Sequence, residues 1–219
     1  ASEQAPLVLD GEGLSLQEVA VDGVVLDPAQ YEVGEQCLTL FKVPASFTLR
    51  CLTVIYPQKN TALEGLYQSN GNFCTQCEAQ GFRKITYYLD RPDVMARFTT
   101  TIEADINIPV LLANGNLVEE GRVGQQRHFA RWQDPFPKPC YLFAMVAGDL
   151  VAITDCFTTR SGRLVDLHIY VQAHNKERCG HAMASLQKAM RWDEEVFGLE
   201  YDLDLYMIVA VDDFNMGAM

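Results

Sequence analysis

Three stretches of this sequence hold residue types that could do chemistry. The first is Cys74-Thr75-Gln76-Cys77-Glu78-Ala79-Gln80-Gly81, followed over 82–93 by Tyr87, Tyr88, Arg91 and Pro92. Glu78 sits there among cysteines, aromatics and small residues, a setting in which a carboxylate tends to be partly desolvated and to require a cationic partner. The plainer account is a surface glutamate paired with Arg83 or Lys84. The spacing of Cys74 and Cys77 invites a zinc or redox reading. A ribbon-type zinc site needs a second such pair, which this chain lacks, and a thioredoxin-like site needs a βαβ setting where this segment reads as strand.

The second stretch is Asp212-Asp213-Phe214-Asn215-Met216-Gly217-Ala218-Met219. A strand running into glycine and small residues lets a ligand approach the backbone, whose open N–H and C=O groups can pair with an extended peptide. A simple strand-to-loop exit explains it equally. The third, Asp134-Pro135-Phe136-Pro137-Lys138-Pro139, reads as a stiff turn between strands, because three prolines fix φ and withdraw donors. His174, Cys179 and His181 also lie close in sequence. They fall at the start of an amphipathic helix, where capping or surface roles suffice.

The elements that must position these residues change character along the chain. Up to residue 149 the signals are short strands: 7–9, 14–21, 23–26, 37–41, 47–55, 97–106, 110–113, 116–120, 128–133 and 141–147. Asp-Gly turns stand at 10–11 and 22–23, and Asn114-Gly115 is the strongest hairpin signal. Many short strands with frequent turn residues predict a β-sandwich or related β-rich domain. After 149 the pattern becomes strand (166–173), helix (177–197, with Gly198 as its stop) and strand (202–212), which opens a mixed α/β domain. The expected division is therefore 1–149 and 150–219, with exposed apolar surface on the strand at 205–211.

Composition bounds the function. The chain has 219 residues, 48% hydrophobic, 21% charged and 10% aromatic, which supports packed cores. Its net charge of −12 argues against nucleic acid as a partner. The longest apolar stretches, 141–147 and 205–211, are too short to span a bilayer, so no membrane partner is expected. Seven scattered cysteines read as reduced, buried thiols and a cytoplasmic setting. No leader pattern opens the chain, Ala1 is not an initiator methionine, and Met219 follows an apolar run; both ends read as cut, with first strands missing.

Taken together, the motifs resemble the aminopeptidase N family of zinc peptidases, in its bacterial branch. The likeness rests on residues 63–65, Thr75-Gln76-Cys77-Glu78-Ala79, the run 85–94 (Ile-Thr-Tyr-Tyr-Leu-Asp-Arg-Pro-Asp-Val), and Arg97-Phe98-Thr99-Thr100. It continues through Asn114-Gly115-Asn116, residues 132–139, Trp192-Asp193-Glu194-Glu195 and residues 197–204. The final Asn215-Met216-Gly217-Ala218-Met219 is similar to the opening of that family's Gly-Ala-Met-Glu-Asn exopeptidase signature. The likeness is weakest over 1–60 and 119–126.

The resemblance implies a gluzincin architecture. A saddle-like N-terminal β domain is followed by the start of a thermolysin-like catalytic domain. Zinc in that family is held by a His-Glu-x-x-His helix and a later glutamate. No such pentapeptide occurs here, since none of His128, His168, His174 and His181 has a His four residues away. The metal and catalytic residues would lie beyond Met219, and the fragment alone would bind no zinc and be inactive. What carries over is substrate recognition. Glu78 would help hold the free α-ammonium of a peptide substrate, Gln76 and Met216 would line the pocket for its first side chain, and the backbone at Gly217 and Ala218 would pair with the peptide, with Met219 counted among the substrate-binding residues. The leukotriene-hydrolase branch has glutamine at the position of Glu78, so glutamate favours the plain aminopeptidase. A non-catalytic β-sandwich module binding peptides or glycans is the alternative. The other expected partners are the remaining domains of the same chain.

Overall fold

The computed structural model describes residues 6–214. The fold is mainly β. Its first layer pair is formed by β1 (Leu7–Asp10), β2 (Ser15–Val21), β3 (Val24–Val25), β4 (Tyr31–Val33), β5 (Cys37–Leu40) and β6 (Leu49–Val54). Two three-stranded antiparallel sheets result, β1-β5-β4 and β3-β2-β6. Leu9, Val19, Leu38 and Leu40 form the core of this region with Tyr87. Leu38 and Leu40 alternate with half-buried Cys37 and Thr39, as expected for a strand with one covered face.

Two local turn signals give different outcomes. Asp22 and Gly23 both take positive φ (50° and 81°), the twist that a two-residue hairpin requires, and join β2 to β3. Asp10-Gly11 makes no hairpin: β1 pairs with β5, with Asp10 opposite Cys37. Gly11 serves close approach instead, since a Cβ there would stand 2.2 Å from the Tyr87 ring.

The second region contains β7 (Gly65–Ser69), β8 (Asn72–Gln76), β9 (Ala96–Asp105), β10 (Val110–Ala113), β11 (Asn116–Val123), β12 (Arg127–Lys138) and β13 (Met145–Gly148). They form a four-stranded sheet β10-β13-β8-β7 and a three-stranded sheet β11-β12-β9. Ile102, Leu111, Leu112, Ala113, Ala130, Trp132 and Ala147 share one core, and buried Trp132 donates its indole N–H to the Leu111 carbonyl at 3.0 Å.

Two expectations are corrected in this region. Asn114-Gly115 does not close a hairpin, because β10 pairs with β13 and β11 with β12. The Asn114 side chain accepts from the Ala144 N–H at 2.7 Å and donates to the Leu142 carbonyl at 3.1 Å. Those bonds tie the turn to the chain entering β13, and Gly115, at φ 92°, steers the chain between sheets. The proline-rich segment is likewise no turn. β12 continues through it to Lys138, with a register shift against β9 between Asp134 and Lys138 that absorbs the missing donors.

The last layer holds β14 (Val151–Thr158), β15 (Leu164–Val171), α1 (Gly180–Val196) and β16 (Leu205–Val209). β14 and β15 are antiparallel, β15 and β16 parallel, and α1 lies in the crossover that a parallel pair demands. Met183, Leu186 and Met190 recur at helical spacing and pack on Phe157, Val165, Leu167, Ile169 and Val171. Leu205, Met207 and Val209 pack against the Trp132 core. The helix is shorter than its sequence pattern, because Ala173–Arg178 forms a 3-10 turn before it, and Gly198 (φ 67°) follows its end. The last strand is also shorter. Arg163 binds the carbonyls of Tyr201 and Leu203, and Asn116 binds Asp204, so those residues are drawn away from the ladder. Among the described residues β16 is an edge strand, half-buried along its length.

Candidate functional site

The segment singled out around Glu78 begins on β8, the strand between β7 and β13. Gln76 ends that strand, opposite Gly65, with its side chain fully buried. Cys77 is also fully buried, and Glu78 then emerges exposed. Residues 77–81 turn tightly: the Gly81 N–H donates to the Cys77 carbonyl at 2.8 Å, and the Lys84 N–H to the Gly81 carbonyl at 3.0 Å. Two glycines make that path available. A Cβ on Gly81 would lie 2.4 Å from the Gln76 carbonyl oxygen, and one on Gly65 2.7 Å from the Lys84 Cβ.

The exposure of Glu78 corrects the expectation of a partly desolvated carboxylate and agrees with a surface glutamate, but the pairing with Arg83 or Lys84 is absent. Arg83 is engaged with Asp90 (2.9 Å) and Asp10 (3.6 Å), and Lys84 with Glu64 (2.7 Å) and Glu12 (3.3 Å). Among the described residues no cation forms a salt bridge with Glu78. The two neighbouring cations are held by Asp90 and by carboxylates from β1, from its following loop and from the residue before β7, which nothing local in the sequence announces.

Asp90 is the centre of the support behind this turn. It is buried, and its Oδ2 accepts the Arg83 backbone N–H at 3.1 Å and the Arg83 Nε–H at 2.9 Å. Its Oδ1 accepts the Cys140 thiol at 3.0 Å, and its N–H donates to Asp10 Oδ2 at 3.1 Å. Around it Phe82, Tyr88, Phe98 and Phe143 pack edge-on or tilted, with ring centroids 5.1–6.4 Å apart.

The other end of the same hairpin binds the second candidate segment. Tyr67 donates its hydroxyl to the Asp213 carbonyl at 2.9 Å, and Asn70 donates to Asp212 Oδ2 at 2.9 Å. Ser69 and Asp213 exchange two bonds of 3.0 Å. Met216, Gly217, Ala218 and Met219 lie outside the described residues. Tyr67, Ser69, Asn70 and Asp90 carry no local signal of these roles beyond the turn-forming Asn70-Gly71, since each acts on a residue distant in sequence.

Cys74, Cys77 and Cys140 form no reactive centre. Burial, and then the negative charge of Asp90, pushes the Cys77 thiol up to about 12. Burial likewise raises Cys74 and Cys140, so all three are neutral thiols near neutral pH. Among the described residues no three His, Cys, Asp or Glu side chains gather closely enough to hold a metal ion, so they do not fit a zinc centre. Cys179 is buried at the head of α1 with its thiol toward the Asn175 carbonyl, and His174 and His181 are exposed. What the arrangement offers is one unpaired carboxylate on a braced turn, beside an edge strand. Its chemistry is the binding of a cation.

Comparison with known proteins agrees with that architecture. The Peptidase M1 N-terminal domain profile matches residues 3–142. An aminopeptidase N of Escherichia coli is 58% identical over 219 residues, covering 100% of this chain and 25% of the relative. A crystal structure of Legionella pneumophila aminopeptidase A in complex with aspartic acid superposes with a TM-score of 0.94 at 36% identity, over 99% of this chain and 26% of that one. An M1 zinc metallopeptidase of Deinococcus radiodurans, crystallised with a Tyr-Ser-Ala substrate, has the same fold. Its TM-score is 0.78 at 17% identity, over 95% of this chain and 49% of that one. The chain thus spans about a quarter of the length of the curated relatives it matches.

Proposed function

This chain belongs to the peptidase M1 family through its N-terminal domain, and from that premise we propose that it is the part of a zinc aminopeptidase that recognises the free amine of a peptide substrate. The observation that carries this reading is the state of Glu78. It is exposed at the end of a buried strand, on a turn closed by hydrogen bonds, and the cations beside it in sequence are committed to other carboxylates. A carboxylate so placed can meet a substrate ammonium without first breaking an internal ion pair. Anchoring the amine at a fixed point makes removal of a single N-terminal residue a matter of position.

Gln76 and Met216 would serve the first side chain, and the backbone of Gly217 and Ala218 the extended peptide, with Met219 beside them in the substrate site. Zinc enters the proposal through the relatives alone. Peptides with a free N-terminus are the substrates proposed, and the remaining domains of the same protein the structural partners. Residues 1–149 would form the N-terminal β domain and 150–219 the opening of the catalytic domain. The change at β14 from β layers to a helix-covered sheet supports that division. The unpaired thiols fit a reducing, cytoplasmic setting.

The test is Glu78→Gln in the full-length enzyme, which keeps shape and removes charge. Losing a charge-assisted bond costs about 1.5–3 kcal/mol, so kcat/KM for an aminoacyl anilide should fall by about ten- to more than a hundredfold. The des-amino counterpart should be slowed much less, with zinc content and melting temperature unchanged. Equal slowing of both substrates would refute the ammonium-anchor role.

A further inference from the structure

We propose that Asp90 is a positioning residue for Glu78: it holds the turn that presents the glutamate and thereby sets how well a substrate amine is recognised. This rests on the reading of Glu78 as the amine anchor and extends it to a residue that touches no substrate.

The turn is held at both of its ends. On one side residues 77–81 leave β8, whose last residue is fixed in the ladder opposite Gly65. On the other they enter the 3-10 turn Phe82–Lys84, and there the restraint is Asp90. One carboxylate oxygen takes both the backbone N–H and the Nε–H of Arg83, and the Arg83 Nη2 donates to the Asp90 carbonyl at 3.1 Å. The other oxygen takes the Cys140 thiol, which ties the assembly to the 3-10 turn Cys140–Leu142 ahead of β13. The Asp90 N–H and the Arg83 guanidinium both reach Asp10, at the end of β1. Asp90 is 2% exposed, so these bonds are shielded from water and hold their geometry more firmly than surface bonds would.

The turn Phe82–Lys84 and the turn Cys140–Leu142 therefore meet at the Asp90 carboxylate, β1 joins them through the Asp90 N–H and Arg83, and the five-residue link carrying Glu78 is clamped between that point and β8. Glu78 itself is exposed and has no ion pair of its own among the described residues, so its placement is inherited from the link. A displacement of about 1 Å at a positioned group can cost about a hundredfold in rate.

The experiment uses the full-length enzyme and compares Arg83→Lys, Cys140→Ala and Asp90→Asn, alone and combined with Glu78→Gln. Asp90→Asn leaves the half-buried Arg83 beside a neutral amide and can prevent folding, so the first two variants carry the test. Arg83→Lys keeps the charge and loses the fork that grips Asp90; Cys140→Ala removes one donor and keeps the ion pair. Arg83→Lys is expected to lower kcat/KM for an aminoacyl anilide about tenfold, and Cys140→Ala by about two- to threefold. The des-amino substrate should change by less than about twofold, and both losses should shrink to about that level when Glu78 is already glutamine. Equal losses on the two substrates, or losses that add fully to Glu78→Gln, would overturn the positioning role and leave the anchor role standing. Glu78→Gln slowing both substrates equally would overturn both.

Discussion

Ser69 and Asp213 hold each other reciprocally across 144 residues of sequence. The Asp213 N–H donates to Ser69 Oγ, and the Ser69 hydroxyl returns to Asp213 Oδ2, each at 3.0 Å. Ser69 is buried on β7, so this exchange satisfies its hydroxyl away from water, and Tyr67 reinforces it at the Asp213 carbonyl. Ser69→Ala removes both bonds and should lower stability by about 1–2 kcal/mol. Amide exchange at Asp213 should accelerate more than exchange within β8, and hydrogen-exchange mass spectrometry checks it. Unchanged protection at 210–214 would show the latch to be idle.

Gly115 and Gly198 both take positive φ (92° and 67°), but only the first is walled in. A Cβ on Gly115 would stand 2.1 Å from the Gln133 carbonyl oxygen, while the nearest atom to one on Gly198 is Arg160 at 4.0 Å. Gly198→Ala should therefore cost only the backbone penalty, about 1–2 kcal/mol. Gly115→Ala should cost more, because Gln133 lies in the β12 ladder and must move. Chemical denaturation of the two variants gives the comparison directly.

Thiol reactivity and alkaline stability should follow burial. Cys156 is exposed and Cys74, Cys77, Cys140 and Cys179 are buried, so a thiol reagent should label Cys156 first and those four only on unfolding. Cys77 has a folded value of about 12 against 9.0 for a free thiol. The unfolded chain therefore releases this proton first as pH rises. The stability it contributes is fully present below about pH 9 and is lost progressively as pH approaches 12. Tyr201, raised to about 12 chiefly by burial, acts in the same direction from 10.0 upward. Glu200 has the opposite sign: the Ser161 hydroxyl holds it below the usual carboxylate value, so its small contribution disappears on acidification. Denaturation midpoints across pH 8 to 11 (roughly the span between these values) should fall.

Arg163 ties the approach to β16 by donating to the Leu203 carbonyl at 2.7 Å and to the Tyr201 carbonyl. Replacing it with alanine removes charge-assisted bonds and should cost about 1.5–3 kcal/mol. The loosening should be local, seen as faster exchange over 201–209 with α1 protected as before.

How far the sequence reached can be judged from particular elements. Alternation located the strands now seen as β2, β9 and β15, and the 3.6-residue period located α1, because both patterns report a single buried face. The segment around Glu78 stood out because its residues are contiguous, while a role for Glu78 came only through the likeness to the family. The partners were not legible. Asp10-Gly11 and Asn114-Gly115 carry hairpin chemistry, yet β1 joins β5 and β10 joins β13. Backbone hydrogen bonds bear no residue identity, and which edges meet depends on how whole hydrophobic faces are covered. The charge pattern failed likewise. Nothing in the sequence separates Lys84 pairing with Glu78 from Lys84 pairing with Glu64 and Glu12. Composition and short-range pattern therefore determined the layers, and the likeness to a family singled out the candidate carboxylate. Only the tertiary structure decided that this carboxylate is exposed and unpaired, because that depends on where Asp10, Glu12, Glu64 and Asp90 converge, and convergence is a property of the assembled sheets.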